Sequence, residues 1–127
     1  MVVGIGTDII EITRIEKACR SQHFLERVFT RREIEYCTAG GRLRANSLAA
    51  AFAAKEAAVK ALGTGFAGFW PSDVEVFHEE NGKPGLRFLG KASDRASERK
   101  IAGVHVSVSH DDTTAVAFVI LEGDETR

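Results

Sequence analysis

The run AFAAKEAAVKALGTG, residues 51–65, constrains this chain more than any other stretch. On a helix of about 3.6 residues per turn, Leu48, Phe52, Val59 and Leu62 line up as one apolar stripe, and most of the remaining surface is alanine. A helix that is apolar all round belongs inside a protein. Three charges interrupt this one: Lys55 in the middle of the stripe, Glu56 at its margin, and Lys60 one turn beyond on the same edge. Burying a carboxylate and two ammonium groups costs several kcal/mol unless they pair, bind a ligand or hold an ion. Two readings are open. One is a Glu56 to Lys60 pair at i, i+4 on a solvated edge, worth only about 0.3–0.5 kcal/mol; the other is a functional cluster.

The rest of the chain must supply the shell around this helix. With 127 residues, 44% of them hydrophobic, it suits one domain, 1–127, with a real core and no room for a second. A formal net charge of −1 puts no overall charge behind nucleic-acid binding. No apolar run approaches the roughly 18 residues of a membrane span, so no membrane role is expected. MVVGIGTDII at the start lacks a basic segment and a cleavage site, and the chain reads as cytoplasmic. Cys19 and Cys37, without C-x-x-C or His spacing, read as small apolar fillers rather than a disulfide or metal site.

Residues 2–10 read as a strand that ends near Asp8, with Gly4 and Gly6 allowing another backbone or a ligand to come close. Thr13-Arg14-Ile15-Glu16 matches a capping box that starts a helix carrying Ile15, Ala18 and Cys19 inward. Thr30-Arg31-Arg32-Glu33 is a second box, opening a short helix that Gly40-Gly41 should stop before a linker over residues 40–46. Ser47 is the expected cap of the alanine-rich helix and Gly63 its left-handed terminator. Beyond it the period changes to two. Val74 and Val76, the turn signal Asn81-Gly82, and Leu86 and Phe88 predict a hairpin, and residues 91–99 a polar helix. Val104, Val106 and Val108 then face one way and His105, Ser107 and Ser109 the other, and residues 114–121 are apolar on both faces, as in a central buried strand. Helices early and hairpins late predict an α+β fold, an antiparallel sheet packed with helices, rather than a doubly wound α/β fold.

Four features invite chemistry or binding. Asp8 and Glu56 are hard oxygen donors of the kind Mg²⁺ takes one or two of, leaving positions for phosphate and water; equally, Asp8 reads as a turn residue at a strand end. Lys60 with the Gly63-Thr64-Gly65 loop suits a phosphate, although a helix C-terminus carries the wrong dipole end for anions and the glycines alone read as a helix stop. HVSVSHDD, residues 105–112, contains Ser, His and Asp, but adjacent Ser109 and His110 face opposite sides of a strand and no G-x-S-x-G elbow exists, which argues against a serine hydrolase. This hydroxyl-lined strand ending in an imidazole reads either as a phosphate contact or as a solvated sheet face. Finally, residues 14–32 hold Arg14, Lys17, Arg20, Arg27, Arg31 and Arg32 against Glu16 and Glu26. Arg14, Lys17 and Arg20 share a helical arc opposite Ile12, Ile15 and Cys19, suited to an acidic partner helix or simply to solvent.

Taken together, GIGTDIIEITRIE near the start, FAAKEAAVKALGTG in the middle, NGKP at 81–84 and HVSVSH at 105–110 resemble the short, trimeric type of the 4′-phosphopantetheinyl transferase superfamily, and the resemblance runs nearly end to end. It implies that fold, and transfer of the 4′-phosphopantetheine arm of coenzyme A to a serine of apo-acyl carrier protein in fatty acid biosynthesis, releasing adenosine 3′,5′-bisphosphate. It implies Asp8 and Glu56 as Mg²⁺ ligands, Glu56 also taking the serine proton directly or through water, and Lys60 stabilising charge on the phosphate in flight. Coenzyme A would meet Lys60, Gly63 and Gly65. Asn81, Gly82, Lys83 and Pro84 would border its adenine, with Ser109 and His110 near the nucleotide across a subunit boundary of a homotrimer. The carrier protein's acidic helix would dock on Arg14, Lys17 and Arg20. One departure stands out: many members of the family carry arginine just before F-A-A-K-E where this chain has Ala51, and Arg42 and Arg44 are the candidates to replace it. A Mg²⁺-dependent nucleotide pyrophosphatase and a noncatalytic carrier-docking module are the rival classes.

Overall fold

The computed structural model describes residues 1–124. The chain opens with strand β1, Val2–Glu11, and passes directly into three short helices: α1, Ile12–Ala18; α2, Gln22–Val28; and α3, Arg31–Tyr36. A two-residue ribbon follows, β2, Thr38–Ala39, with β3, Arg42–Leu43, and then the long helix α4, Ala45–Leu62. A 3₁₀ turn at Pro71–Asp73 leads into the hairpin β4, Val74–His78, and β5, Pro84–Phe88. Helix α5, Gly90–Glu98, and the strands β6, Ile101–His110, and β7, Thr114–Gly123, complete the fold. The α+β expectation holds. β7 is the centre of an antiparallel sheet in the order β1-β7-β6, and α4 packs across one face of it. No helix among the described residues is long and apolar enough to cross a membrane.

The contact between β1 and α4 explains the first two glycines. A Cβ at Gly4 would overlap the carbonyl oxygen of Ala61, and one at Gly6 that of Ala57, so only glycine lets strand and helix backbones touch. The alanines of α4 serve the same contact from the other side: Ala53, Ala54, Ala57 and Ala58 are fully buried. Asp8 consequently lies mid-strand, opposite Ala117 of β7, not at the strand's end.

Several local expectations are corrected. The Thr13–Glu16 box does not form: Ile12 N–H donates to Thr113 O at 2.9 Å, the chain turns from sheet to helix there, and Glu11 caps α1 without a side-chain bond. Ser47 is not the cap of α4; the helix begins at Ala45 behind Arg44, whose N–H is held by Cys37 O at 2.7 Å. Gly40 and Gly41, both at positive φ, make the turn of the β2–β3 ribbon and do not end α3; the expected linker is this ribbon and the start of α4. The Asn81-Gly82 turn carries a three-residue loop: Glu79 N–H bonds to Lys83 O at 2.9 Å and Gly82 takes φ 87°. Gly63, at φ 77°, does terminate α4. Cys19 and Cys37 are free, buried thiols, each pushed up to about 11 chiefly by burial. β7 is buried on one face only. Ala115, Ala117, Val119 and Leu121 are enclosed, while Val116 and Phe118 join Ile5 and Ile9 of β1 on an open apolar sheet face, with Ile9 68% and Phe118 44% exposed.

The Thr30–Glu33 box forms and does more than cap a helix. Glu33 Oε1 accepts from Thr30 N–H at 2.8 Å and also from Lys55 Nζ at 2.7 Å, while its Oε2 accepts from Val76 N–H at 2.7 Å. Lys55, 0% exposed, gives its remaining protons to Val74 O at 2.5 Å and Pro71 O at 3.2 Å. The charge in the middle of the apolar stripe is thus paid for by a complete shell of partners; among the described residues no buried side-chain polar atom lacks one. Burial lowers the Lys55 pKa and Glu33 pulls it back up. Removing one member strands the other, so Lys55→Met should cost about 3–5 kcal/mol, whereas Glu33→Gln/Lys55→Met, which leaves no unpaired charge, should recover part of that loss. Urea unfolding of both variants measures this, and equal stability of the two would mean that the pair is not coupled.

Candidate active site

At the edge where β1 crosses α4, the sheet and the helix each offer charged side chains to solvent. The Gly4 and Gly6 contacts draw the strand onto the helix, and the alternation of β1 turns Asp8, two residues on, toward α4. Lys60 Nζ donates to Asp8 Oδ1 at 3.1 Å and to Thr7 O at 3.0 Å. Lys60 therefore reaches across to the strand instead of forming the i, i+4 pair with Glu56. The bond is half-open to water, with the Asp8 side chain 17% exposed and that of Lys60 54%, so its contribution to stability is small. Glu56 is half-buried on the same edge. Its pKa is raised, first by burial and then by the Asp8 charge, against the opposing pull of Lys60 and Arg14. Those influences put Asp8, Lys60 and Arg14 within electrostatic reach of Glu56. No group of three or more His, Cys, Asp and Glu side chains able to hold a metal occurs among the described residues. The donor set is two carboxylates, which matches the one or two that Mg²⁺ takes when phosphate and water fill the rest of its octahedron.

The other predicted residues fall into separate groups. Gly63 and Gly65, at φ 77° and 61°, follow Lys60 in the loop that ends α4. That end is sealed by a residue the sequence reading missed: Arg99, just past α5, donates Nη1 to Leu62 O and Nη2 to Val3 O at 3.3 Å. It places a guanidinium on the negative pole of the helix. Asn81 accepts from Lys83 N–H at 3.0 Å and shapes the hairpin turn. Pro84 and His110 line a cavity of about 150 Å³ with Tyr36, Asn46, Ser47, Ala51, Val76 and Val108. Pro84 and Lys83 also border a second cavity, and neither cavity includes any of residues 60–65.

Ser109 and His110 sit on opposite faces of β6, Ser109 toward the open sheet face beside Ile9 and Val116. Ser109 and His110 share no hydrogen bond, although both border one shallow cavity with Ile9, Asp111, Thr114 and Val116, and His110 also reaches the cavity at Pro84. Arg14, Lys17 and Arg20 are exposed as expected, although Arg20 lies in the turn after α1. Other members of the basic run are engaged elsewhere: Arg27 lies over the Trp70 ring, 4.5 Å from its centroid, and Arg31 pairs with Glu35 at 3.6 Å. At Ala51 the structure separates the two arginines. Arg44 donates to Tyr36 O at 2.6 Å and lies over its ring, and Tyr36 stacks on His78 with centroids 3.7 Å apart. Arg44 thus stands beside the cavity that Ala51 lines, while Arg42 is exposed in the β2–β3 ribbon.

A mixed α+β domain with a half-open carboxylate-and-lysine edge is the frame in which the comparisons with known proteins fall. The family model described as the 4′-phosphopantetheinyl transferase superfamily matches residues 4–119, and this chain belongs to that superfamily. Holo-[acyl-carrier-protein] synthase of Treponema denticola is 44% identical over 123 residues, 97% of this chain and 100% of that protein. The synthase of Clostridium tetani is 45% identical over 125 residues, 98% of each chain. A crystal structure of the Bacillus anthracis synthase in complex with coenzyme A (3′,5′-ADP) superposes with a TM-score of 0.79 at 39% identity, covering 98% of this chain and 99% of that one.

The raised pKa of Glu56 has a stability consequence. A carboxyl whose pKa is lifted by folding weakens the folded state at every pH above its ordinary value of 4.5, and the effect disappears below that value, where both states hold the proton. Glu56→Gln is expected to raise the melting temperature of the metal-free protein at pH 7, with the gain shrinking as pH falls toward 4.5. Melting curves followed by circular dichroism test this; a gain that grows on acidification would contradict it.

Proposed function

We propose that this chain transfers the 4′-phosphopantetheine arm of coenzyme A to a serine of apo-acyl carrier protein, yielding holo-acyl carrier protein and adenosine 3′,5′-bisphosphate, a step that serves fatty acid biosynthesis. The observation that carries the proposal is the meeting of Asp8, Glu56 and Lys60 at one half-open edge, in a chain whose relatives are holo-[acyl-carrier-protein] synthases along nearly their whole length.

Each of the three has a task its surroundings support. Lys60, fixed by Asp8 and Thr7 O yet half-exposed, presents an ammonium group to a phosphate oxygen and offsets the charge that builds on it during transfer. Glu56 takes the proton of the attacking serine hydroxyl, directly or through water. Asp8 orients Lys60. Mg²⁺ suits the Asp8 and Glu56 oxygens, and when bound it neutralises pyrophosphate charge. The loop at Gly63 and Gly65 frames the phosphates, and the Asn81–Pro84 turn with His110 borders the nucleotide. With no guanidinium at Ala51, Arg44 is the residue that supplies positive charge to that cavity, through its seat on Tyr36.

The cavities that Lys83, Pro84 and His110 line include none of residues 60–65, and the open face made by Ile5, Ile9, Val116 and Phe118 is apolar. Both features favour a homotrimer with sites between subunits. Phe118→Lys should therefore yield monomers by light scattering and lose transfer; a fully active monomeric wild type would refute the assembly.

Intact mass spectrometry of apo-acyl carrier protein after incubation with this protein, coenzyme A and Mg²⁺ tests the reaction. A phosphopantetheine-sized gain is expected, Asp8→Ala and Glu56→Ala should abolish it, and hydrolysis of coenzyme A in the absence of carrier protein would instead favour a pyrophosphatase. Carrier docking is tested separately on α1. Lys17→Glu should raise the KM for carrier protein and blunt its salt dependence without changing kcat. Arg14→Glu, on the same exposed arc, should do the same.

A further inference from the structure

We propose that the buried Glu33–Lys55 pair is a positioning unit for the transfer reaction: it sets the rotation of α4 about its own axis, and hence where Glu56 and Lys60 stand relative to Asp8. This inference rests on the transferase reading above.

The pair touches neither Asp8 nor Lys60 by any hydrogen bond, yet it is adjacent in sequence to the site, since Lys55 precedes Glu56. Successive residues of an α-helix are separated by about 100° around the axis. Holding Lys55 at one azimuth therefore holds Glu56 at another. Lys55 is held in three directions at once: by the Glu33 carboxylate at the N-terminus of α3, by Val74 O of β4, and by Pro71 O of the 3₁₀ turn. Glu33 is itself fixed by Thr30 N–H and Val76 N–H.

The other ammonium of α4 that bonds to a neighbouring element, Lys60, is half-exposed, and its bonds to β1 restrain the helix less. Much of the buried surface of α4 is alanine, whose small side chains make a shallow surface, and the contacts at Gly4 and Gly6 bring backbones together without interlocking side chains. Hydrophobic burial is non-directional. Three charge-assisted hydrogen bonds from one ammonium group are not. The same pair reaches through Val74 and Val76 into the β4–β5 hairpin that ends in Asn81–Pro84, so it joins the element bearing the nucleotide-side residues to the helix bearing the proton acceptor. An apolar substitute of similar volume could fill the space but would supply none of the directional bonds to Thr30, Val76, Val74 and Pro71.

The test uses the full chain with Glu33→Gln/Lys55→Met, which removes the charges together. The expected result is a folded protein with a lowered melting temperature, a KM for carrier protein changed by less than about twofold because no residue of α1 is altered, and a kcat per folded molecule lowered about tenfold or more, in keeping with the cost of small displacements of reacting groups. Wild-type kcat and KM in the folded double variant would overturn the inference. So would a fall in activity matched by the unfolded fraction, because kcat per folded molecule would then be unchanged. Should the double variant not fold, Glu33→Asp, which keeps the charge but withdraws it by one methylene, is measured against the same two outcomes. A wild-type control that fails to modify apo-acyl carrier protein would refute the transferase reading itself, whereas a working control with an unaffected variant refutes only the positioning role.

Discussion

The backbone contact between β1 and α4 is the constraint on which the rest of the structure depends. Two glycines on the strand and a row of alanines on the helix let the two backbones touch, so that a strand residue two positions further on is carried to the rim of the helix. Asp8 meets Lys60 and comes within electrostatic reach of Glu56 for that reason. An alanine at Gly6 would overlap the Ala57 carbonyl, and strand and helix would have to separate. The site is therefore a product of close packing, and the small residues that look like a plain core are what assemble it.

The same helix carries two charge arrangements that obey opposite physics. Lys55 is sealed from water and held by a full set of partners, where any missing hydrogen bond leaves a group that neither solvent nor protein satisfies. Glu56 and Lys60 lie one and five residues on, at the wetted edge, where pairing adds little to stability and the groups stay available to a ligand. Like-charge crowding between Asp8 and Glu56 is a cost carried by the protein alone, of the kind found where carboxylates are gathered for chemistry.

The open sheet face is a third consequence of the topology. A three-stranded sheet has two faces and α4 covers one, so the outward side chains of β1 and β7, Ile5, Ile9, Val116 and Phe118, have no layer over them within the chain. The hydroxyls of Ser107 and Ser109 lie on β6 across from Phe118 and Val116, so the face passes from apolar to polar along its width. A contiguous exposed apolar area of this kind is uncommon on a surface that faces only water.

Much of this was legible in the sequence. Period-3.6 and period-2 patterns identified the long helix, the hairpin and the last two strands, and Thr30 with Glu33 announced a helix start that the structure contains. The short motifs carried the family resemblance, and Asp8, Glu56 and Lys60 with it. Local pattern was a poorer guide where neighbouring elements compete for the same backbone: the Thr13 box lost to a sheet bond from Ile12, and the Ser47 cap to a helix that starts behind Arg44. What no local pattern could contain is which distant groups meet. The pairing of Glu33 with Lys55, the bridge from Lys60 to Asp8, the Arg99 cap on α4 and the stack of Tyr36 on His78 join residues 22 to 52 positions apart. Periodicity reports only the face on which a side chain lies. The partner it finds there is decided when the elements pack, because hydrogen bonds and ion pairs act over a few ångströms of space whatever the length of chain between them.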